Sequence, residues 1–121
     1  MKKRSTVFCD IDGTILVHRK FEDIHAVPAQ LTPDADRLNE WLELGHHIIL
    51  TTARPEELRE KTESELANLG LKWTMLIMGI GRGPRVLIND EEPSGTGPKA
   101  MAFSIERNSG LSNVLPDCLN N

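Results

Sequence analysis

The sequence predicts an α/β domain organised around a mostly parallel sheet, and three observations carry that reading. Val7, Phe8 and Cys9 form a continuous rather than alternating apolar block, as do Ile48, Ile49 and Leu50. Such blocks suit strands buried on both faces of a parallel sheet. Apolar residues then recur at helical spacing, first at Leu38, Trp41 and Leu42 and later at Leu58, Leu66 and Leu69, with Thr62 on the same stripe. Finally, residues 16–23, which follow Asp12-Gly13, do not alternate as a returning hairpin strand should, so the chain crosses over rather than doubling back.

Taken in order, the first strand ends near Asp10, and residues 15–31 mix apolar and charged side chains with no dominant period, as expected of a flap. Thr32-Pro33 marks a helix start, with Thr32 as N-cap, Pro33 at the first helical position, and Asp34 and Asp36 near the positive end. That helix runs to about Leu44 and stops at Gly45, and the spacing of Trp41 makes it core. Residues 46–52 are the second strand, and a second helix over 55–69 carries a Glu57–Lys61 surface pair and ends at Gly70 with Leu71 folded back onto Leu66. Residues 73–78, 85–90 and 100–105 complete the reading as strands three, four and five, with a turn-rich loop at 93–99 and a frayed tail over 112–121.

At 121 residues the chain is expected to form one domain, 1–121, large enough for a real core. Lys plus Arg number 14 against 18 for Asp plus Glu, a formal charge of −4, which argues against a nucleic-acid surface. Three Phe and two Trp offer no base-stacking platform either. Cys9 and Cys118 make no disulfide framework and read as free thiols of a reducing compartment. The basic start, Met1-Lys2-Lys3-Arg4, is not followed by an apolar signal core, and no run approaches a membrane span, so the expectation is a cytoplasmic protein without membrane contact. His18, His25, His46 and His47 have no Cys or Glu at zinc-like spacing.

The chemistry gathers in Asp10-Ile11-Asp12-Gly13-Thr14. Two carboxylates one residue apart at the end of a buried strand are costly unless something positive neutralises them. Mg²⁺ suits that role, since it takes hard oxygen ligands from one or two carboxylates and fills its shell with water and phosphate. Gly13 permits the bend that turns Asp12 back toward Asp10. At the second strand end lie Thr51, Thr52, Ala53 and Arg54, and at the fourth lie Asn89, Asp90, Glu91 and Glu92.

Asp10-Ile11-Asp12-Gly13-Thr14 resembles the first motif of the haloacid dehalogenase superfamily, and the order of the later segments fits that resemblance over about residues 5 to 108. The resemblance implies a three-layer sandwich with strand order 5-4-1-2-3, of a capless or minimal-cap type. It also implies a Mg²⁺-dependent phosphatase acting on a small phosphorylated metabolite, such as a sugar phosphate. Asp10 would attack phosphorus to form an aspartyl phosphate, and Asp12 would serve as acid and base. Phosphate would be held by Gly13, Thr14, Thr52, Ala53 and Arg54, and the metal by Asp10, Asp12 and Asp90.

The family's third-motif lysine has no counterpart in Gly79-Ile80-Gly81-Arg82-Gly83-Pro84, where Arg82 is the first choice for the cation and Arg85 the second. Those six residues reach about 20 Å when extended and hold no crossover helix. If strand five runs parallel, as the resemblance implies, Arg107 emerges beside the site as a substrate contact; if antiparallel, Lys99 takes that place near Asp90. Alternatives are a non-catalytic phosphate or metal-binding module and a nucleic-acid end phosphatase. A response-regulator receiver fits less well, because no Asp ends the third strand. An uncapped site also implies a homo-oligomer covering the flap, or a bulky substrate.

Overall fold

The computed structural model describes residues 3–95 and 97–120. Met1 and Lys2 of the basic start, Thr96 of the turn-rich loop and Asn121 of the tail lie outside the described residues. Three strands, β1 (Thr6–Asp10), β2 (His47–Thr51) and β3 (Met75–Ile77), pair in parallel in the order β1-β2-β3. Phe8 lies opposite Ile49 and Ile49 opposite Met75, while the next row is Cys9, Leu50 and Leu76. Because side chains alternate along a strand, these rows face opposite sides. The second row, with Val7 and Ile48, packs into a single core cluster that also takes Leu38 and Trp41 of α1 (Arg37–Glu43) and Leu66 of α2 (Arg59–Asn68).

Of the residues their spacing marks, Leu38, Trp41, Thr62 and Leu66 are buried while Leu42, Leu58 and Leu69 are only partly so, and both helices start later than the sequence suggests. The Thr32 hydroxyl does not cap α1; it donates to the Thr14 carbonyl at 2.7 Å, and Asp34 turns to φ 56, so regular helix begins only at Arg37. After Pro55 a 3-10 turn, Glu56–Leu58, precedes α2. Its surface pairs run from Arg59 to Glu56 and Glu63 and from Lys61 to Glu65, not from Glu57 to Lys61. The stop is as its sequence implies: Gly70 takes φ 84, and the Leu71 amide donates back to the Leu66 carbonyl at 3.0 Å. Full burial of Leu38 and Leu66 contributes about 1.5–3 kcal/mol each.

The expected sandwich with strand order 5-4-1-2-3 is corrected by this sheet, which has three strands in sequential order. Among the described residues, 85–90 and 100–105 form no strand, and nearly all of 79–104 is exposed and irregular. The connection supplies the physical reason. Gly79, Gly81, Gly83 and Pro84 leave too few residues, and too flexible a backbone, to return the chain through a helix to the amino end of the sheet. The segment starts beside the end of β2, where the Gly79 and Ile80 amides donate to the Arg54 and Thr52 carbonyls, and approaches β1 where Arg85 faces Asp10.

Residues 105–119 return to the body. Leu111 and Leu119 enter the core, and a 3-10 turn spans Asp117–Leu119 within the stretch the sequence marks as a tail. Gly110, at φ 82, lets the chain cross directly over Pro33, whose carbonyl accepts the Leu111 amide at 2.9 Å. Buried His46 ties both ends of the described chain to β2, its Nδ1 accepting the Ser5 amide at 3.0 Å and its Nε2 lying 3.2 Å from the Leu119 carbonyl. An accepting Nδ1 leaves the proton on Nε2, which donates to Leu119.

Candidate functional site

The site lies at the carboxyl ends of the strands, where β1 stops at Asp10. There the chain makes a tight turn in which the Thr14, Ile15 and Leu16 amides all donate to the Ile11 carbonyl and the Gly13 amide donates to Leu16. Gly13 takes φ 84. Ile11, Ile15 and Leu16 are fully buried, so the turn is anchored from below while its polar side chains point outward. Asp10 is held by the Thr14 hydroxyl at 3.2 Å and faces the Arg85 guanidinium at 3.6 Å, with its side chain 43% exposed. Desolvation raises the pKa of its carboxyl above the ordinary value and repulsion from Asp12 adds to the rise, while Thr14, Arg85 and the Ile11 amide offset part of it.

Asp12 sits in a different environment. Both of its oxygens accept from Arg54, at 2.8 Å from Nε and 2.7 Å from Nη2. Arg54 is itself buried and donates further to the Thr62 hydroxyl and to Glu65. Glu65 closes the network by accepting a two-pronged pair from Arg19 of the flap, both at 3.0 Å. Burial pushes Arg54 toward neutrality, but its bonds to Asp12 and Glu65 outweigh that and hold its pKa above the ordinary value. Burial likewise opposes the charge on Glu65, and Arg19 and Arg54 overcome it, lowering its pKa.

A pH dependence follows from Glu65. A carboxylate with a depressed folded pKa stabilises the fold above its unfolded value and loses that contribution as pH falls through the folded one. Glu65→Gln should therefore be less stable than the wild type at pH 7, and the gap should narrow as pH drops below about 4.3. Melting temperatures followed across an acid series check this, and a gap that stays constant to the lowest pH would refute it.

The other residues singled out in the sequence divide into two groups. Gly13, Thr14, Arg54, Arg85 and Arg107 gather around the Asp10 turn. Arg107 lies over Gly13, where a built β-carbon would be 3.4 Å from its Cγ, and Asn108 fixes it there by donating its amide to the Gly13 carbonyl at 2.8 Å and accepting the His18 amide at 2.7 Å. Thr52 is buried and its hydroxyl accepts the Arg54 amide at 3.1 Å, so it shapes the turn that aims Arg54, with Ala53 between them. Arg82 is exposed, and Asp90 pairs at 2.6 Å with Lys99. Among the described residues, no three acidic, histidine or cysteine side chains form a group able to hold a metal, so Asp10, Asp12 and Asp90 do not converge. Cys9, beside the site, is buried and its thiol is pushed up to about 12, which leaves it inert.

Sequence reasoning missed Arg19 and Glu65. Arg19 was one charge among many in the flap, and Glu65 one of several glutamates on a helix with a solvated face. Asn108 is identified by its φ of 66, a conformation asparagine tolerates better than most residues.

No family model matches the chain, and neither any curated protein nor any solved structure matches it. The resemblance to the haloacid dehalogenase superfamily is therefore corrected, together with the phosphatase activity drawn from it. The sheet order differs, the three implied metal ligands do not meet, and Asp12 is occupied by Arg54 where the implied mechanism needs it free to exchange a proton. Among the described residues, no helix is long and apolar enough to cross a membrane.

Proposed function

We propose that the carboxyl end of the sheet binds a small phosphorylated molecule together with Mg²⁺, as a binding module rather than a catalyst. The observation that supports this is the meeting of one carboxylate, Asp10, with two exposed guanidinium groups, Arg85 and Arg107, around a single turn. Guanidinium groups match phosphate geometry in a two-pronged fashion. Asp10 is the residue that would hold the cation; a hydrated Mg²⁺ accepts a single carboxylate and completes its shell with water and ligand phosphate. A cation there would also relieve the desolvated charge of Asp10. Cys9 and Cys118, both free, suit a reducing compartment such as the cytoplasm.

Calorimetric titration with Mg²⁺, inorganic phosphate and a small phosphate ester tests this reading. Mg²⁺ should bind the wild type and not Asp10→Asn, and Arg85→Ala with Arg107→Ala should weaken the ester by about tenfold or more. Equal binding of Mg²⁺ by wild type and Asp10→Asn, or no heat with any of the three, would overturn it. Steady release of phosphate from the ester would show that the site turns its ligand over.

A further inference from the structure

Gly13 leaves a gap in the Asp10 turn, and side chains from two distant segments flank it. A β-carbon built there would lie 3.4 Å from Cγ and 4.0 Å from Nε of Arg107, and 3.9 Å from Cβ of His18. Arg107 comes from the returning segment and His18 from the flap, so the fold brings them to one residue of the turn. Backbone bonds fix His18 in that place: its amide donates to Asn108 Oδ1 at 2.7 Å, and the Val17 amide before it donates to the Gln30 carbonyl at 2.8 Å. Asn108 makes its bond from a φ of 66, a conformation few residues other than glycine adopt and one that persists where the surroundings enforce it. The His18 side chain is in the opposite condition. It is exposed, and among the described residues nothing bonds to its imidazole, whereas the ring of His46 is buried with both nitrogens engaged. A fixed backbone thus carries a free ring beside Arg107.

We propose that His18 is a further ligand-contacting residue, which donates a ring N–H to the phosphate that Arg107 grips and selects a phosphate monoester over a diester; this role rests on the phosphate-binding reading of the Asp10 turn. The imidazole carries a ring N–H whether neutral or charged, so it is a donor in either state. A guanidinium fork takes two oxygens of a phosphate in its two-pronged geometry. The third terminal oxygen is then left for His18. A monoester has that third oxygen, whereas a diester has only two outside its ester linkages, so the pair is complete only around a terminal phosphate group.

Calorimetric titration of methyl phosphate into the full chain, with Mg²⁺ present, tests this role. His18→Ala should weaken binding about tenfold, the loss of one hydrogen bond to a charged group, and His18→Gln, whose amide still donates, should recover part of the affinity. Both substitutions fall on an exposed side chain and keep the backbone amide that Asn108 holds, and an unchanged melting temperature confirms that the fold survives them. Dimethyl phosphate should bind the wild type about tenfold or more weaker than methyl phosphate. In nitrogen NMR spectra the ring signals of His18 should shift on saturation with methyl phosphate, while those of His47, exposed at the amino end of β2, stay in place. Binding unchanged by His18→Ala, or His18 ring signals that do not move, overturns the role of His18 and leaves the phosphate-binding reading standing. Equal affinity for the two esters overturns the monoester preference. A wild type that binds no methyl phosphate overturns that reading and the role of His18 with it.

Discussion

Arg54→Met should lower stability by about 3–5 kcal/mol, because removing one partner from a buried ionic network leaves the others charged and unpaired. Arg54 holds Asp12 through two bonds and Glu65 and Thr62 through one each, and its side chain is almost fully buried. Methionine fills much of the volume but satisfies none of those acceptors. Glu65 keeps Arg19 and Lys61, whereas Asp12 loses both of its arginine bonds. For a domain of this size the melting temperature should fall by roughly 10–20 °C. Changing Asp12 to asparagine in the same chain should recover part of the loss, since it removes the charge that the substitution of Arg54 leaves unpaired. Urea and thermal melts of the single and double variants measure both effects, and a single-variant loss under about 1 kcal/mol would show that the network is a solvated ornament.

Gly110→Ala should also be severe, at about 3 kcal/mol or more, for two separable reasons. The residue takes φ 82, where a β-carbon is strained, and the added methyl would drive into the Pro33 carbonyl oxygen, with the Pro33 nitrogen and carbonyl carbon both at 2.9 Å. Gly70 provides the control. It has nearly the same φ, 84, but nothing lies within 4 Å of a β-carbon built there, so Gly70→Ala should cost only the conformational part, about 1 kcal/mol. Denaturant midpoints for the two variants separate strain from collision. Equal losses would mean that the crossing of residues 105–111 over Pro33 contributes nothing of its own.

How far the sequence could be read depended on the range of the forces involved. β1, β2 and the inward faces of both helices were legible, because runs such as Ile48-Ile49-Leu50 and spacings such as Leu38 to Trp41 are local signals of burial, although Phe8, in a block that suits burial on both faces, is 58% exposed. The same logic misled at Val86-Leu87-Ile88, an apolar run that finds no strand to pair with, since pairing is a long-range event that composition does not encode. Thr32 had the right chemistry for a cap, but its hydroxyl was claimed by the Thr14 carbonyl, 18 residues away. At the site, the clustering of charge around Asp10 could be anticipated. The locking of Asp12 could not, because the partner that decides it, Arg54, is itself oriented by Glu65 on another element.

Asn108 and His46 have a consequence for how the chain is joined to itself. Asn108 binds the Gly13 and His18 backbone, Leu111 binds Pro33, and His46 bridges Ser5 to Leu119. The stretch after residue 104 is thus fastened to the first half of the molecule at three separate points, none of which runs through residues 86–95. A nick in that exposed span would interrupt the covalent thread and leave every one of those fastenings in place. The two pieces would stay clasped as a complementing pair, with the Asp10 turn still closed by a fragment no longer connected to it.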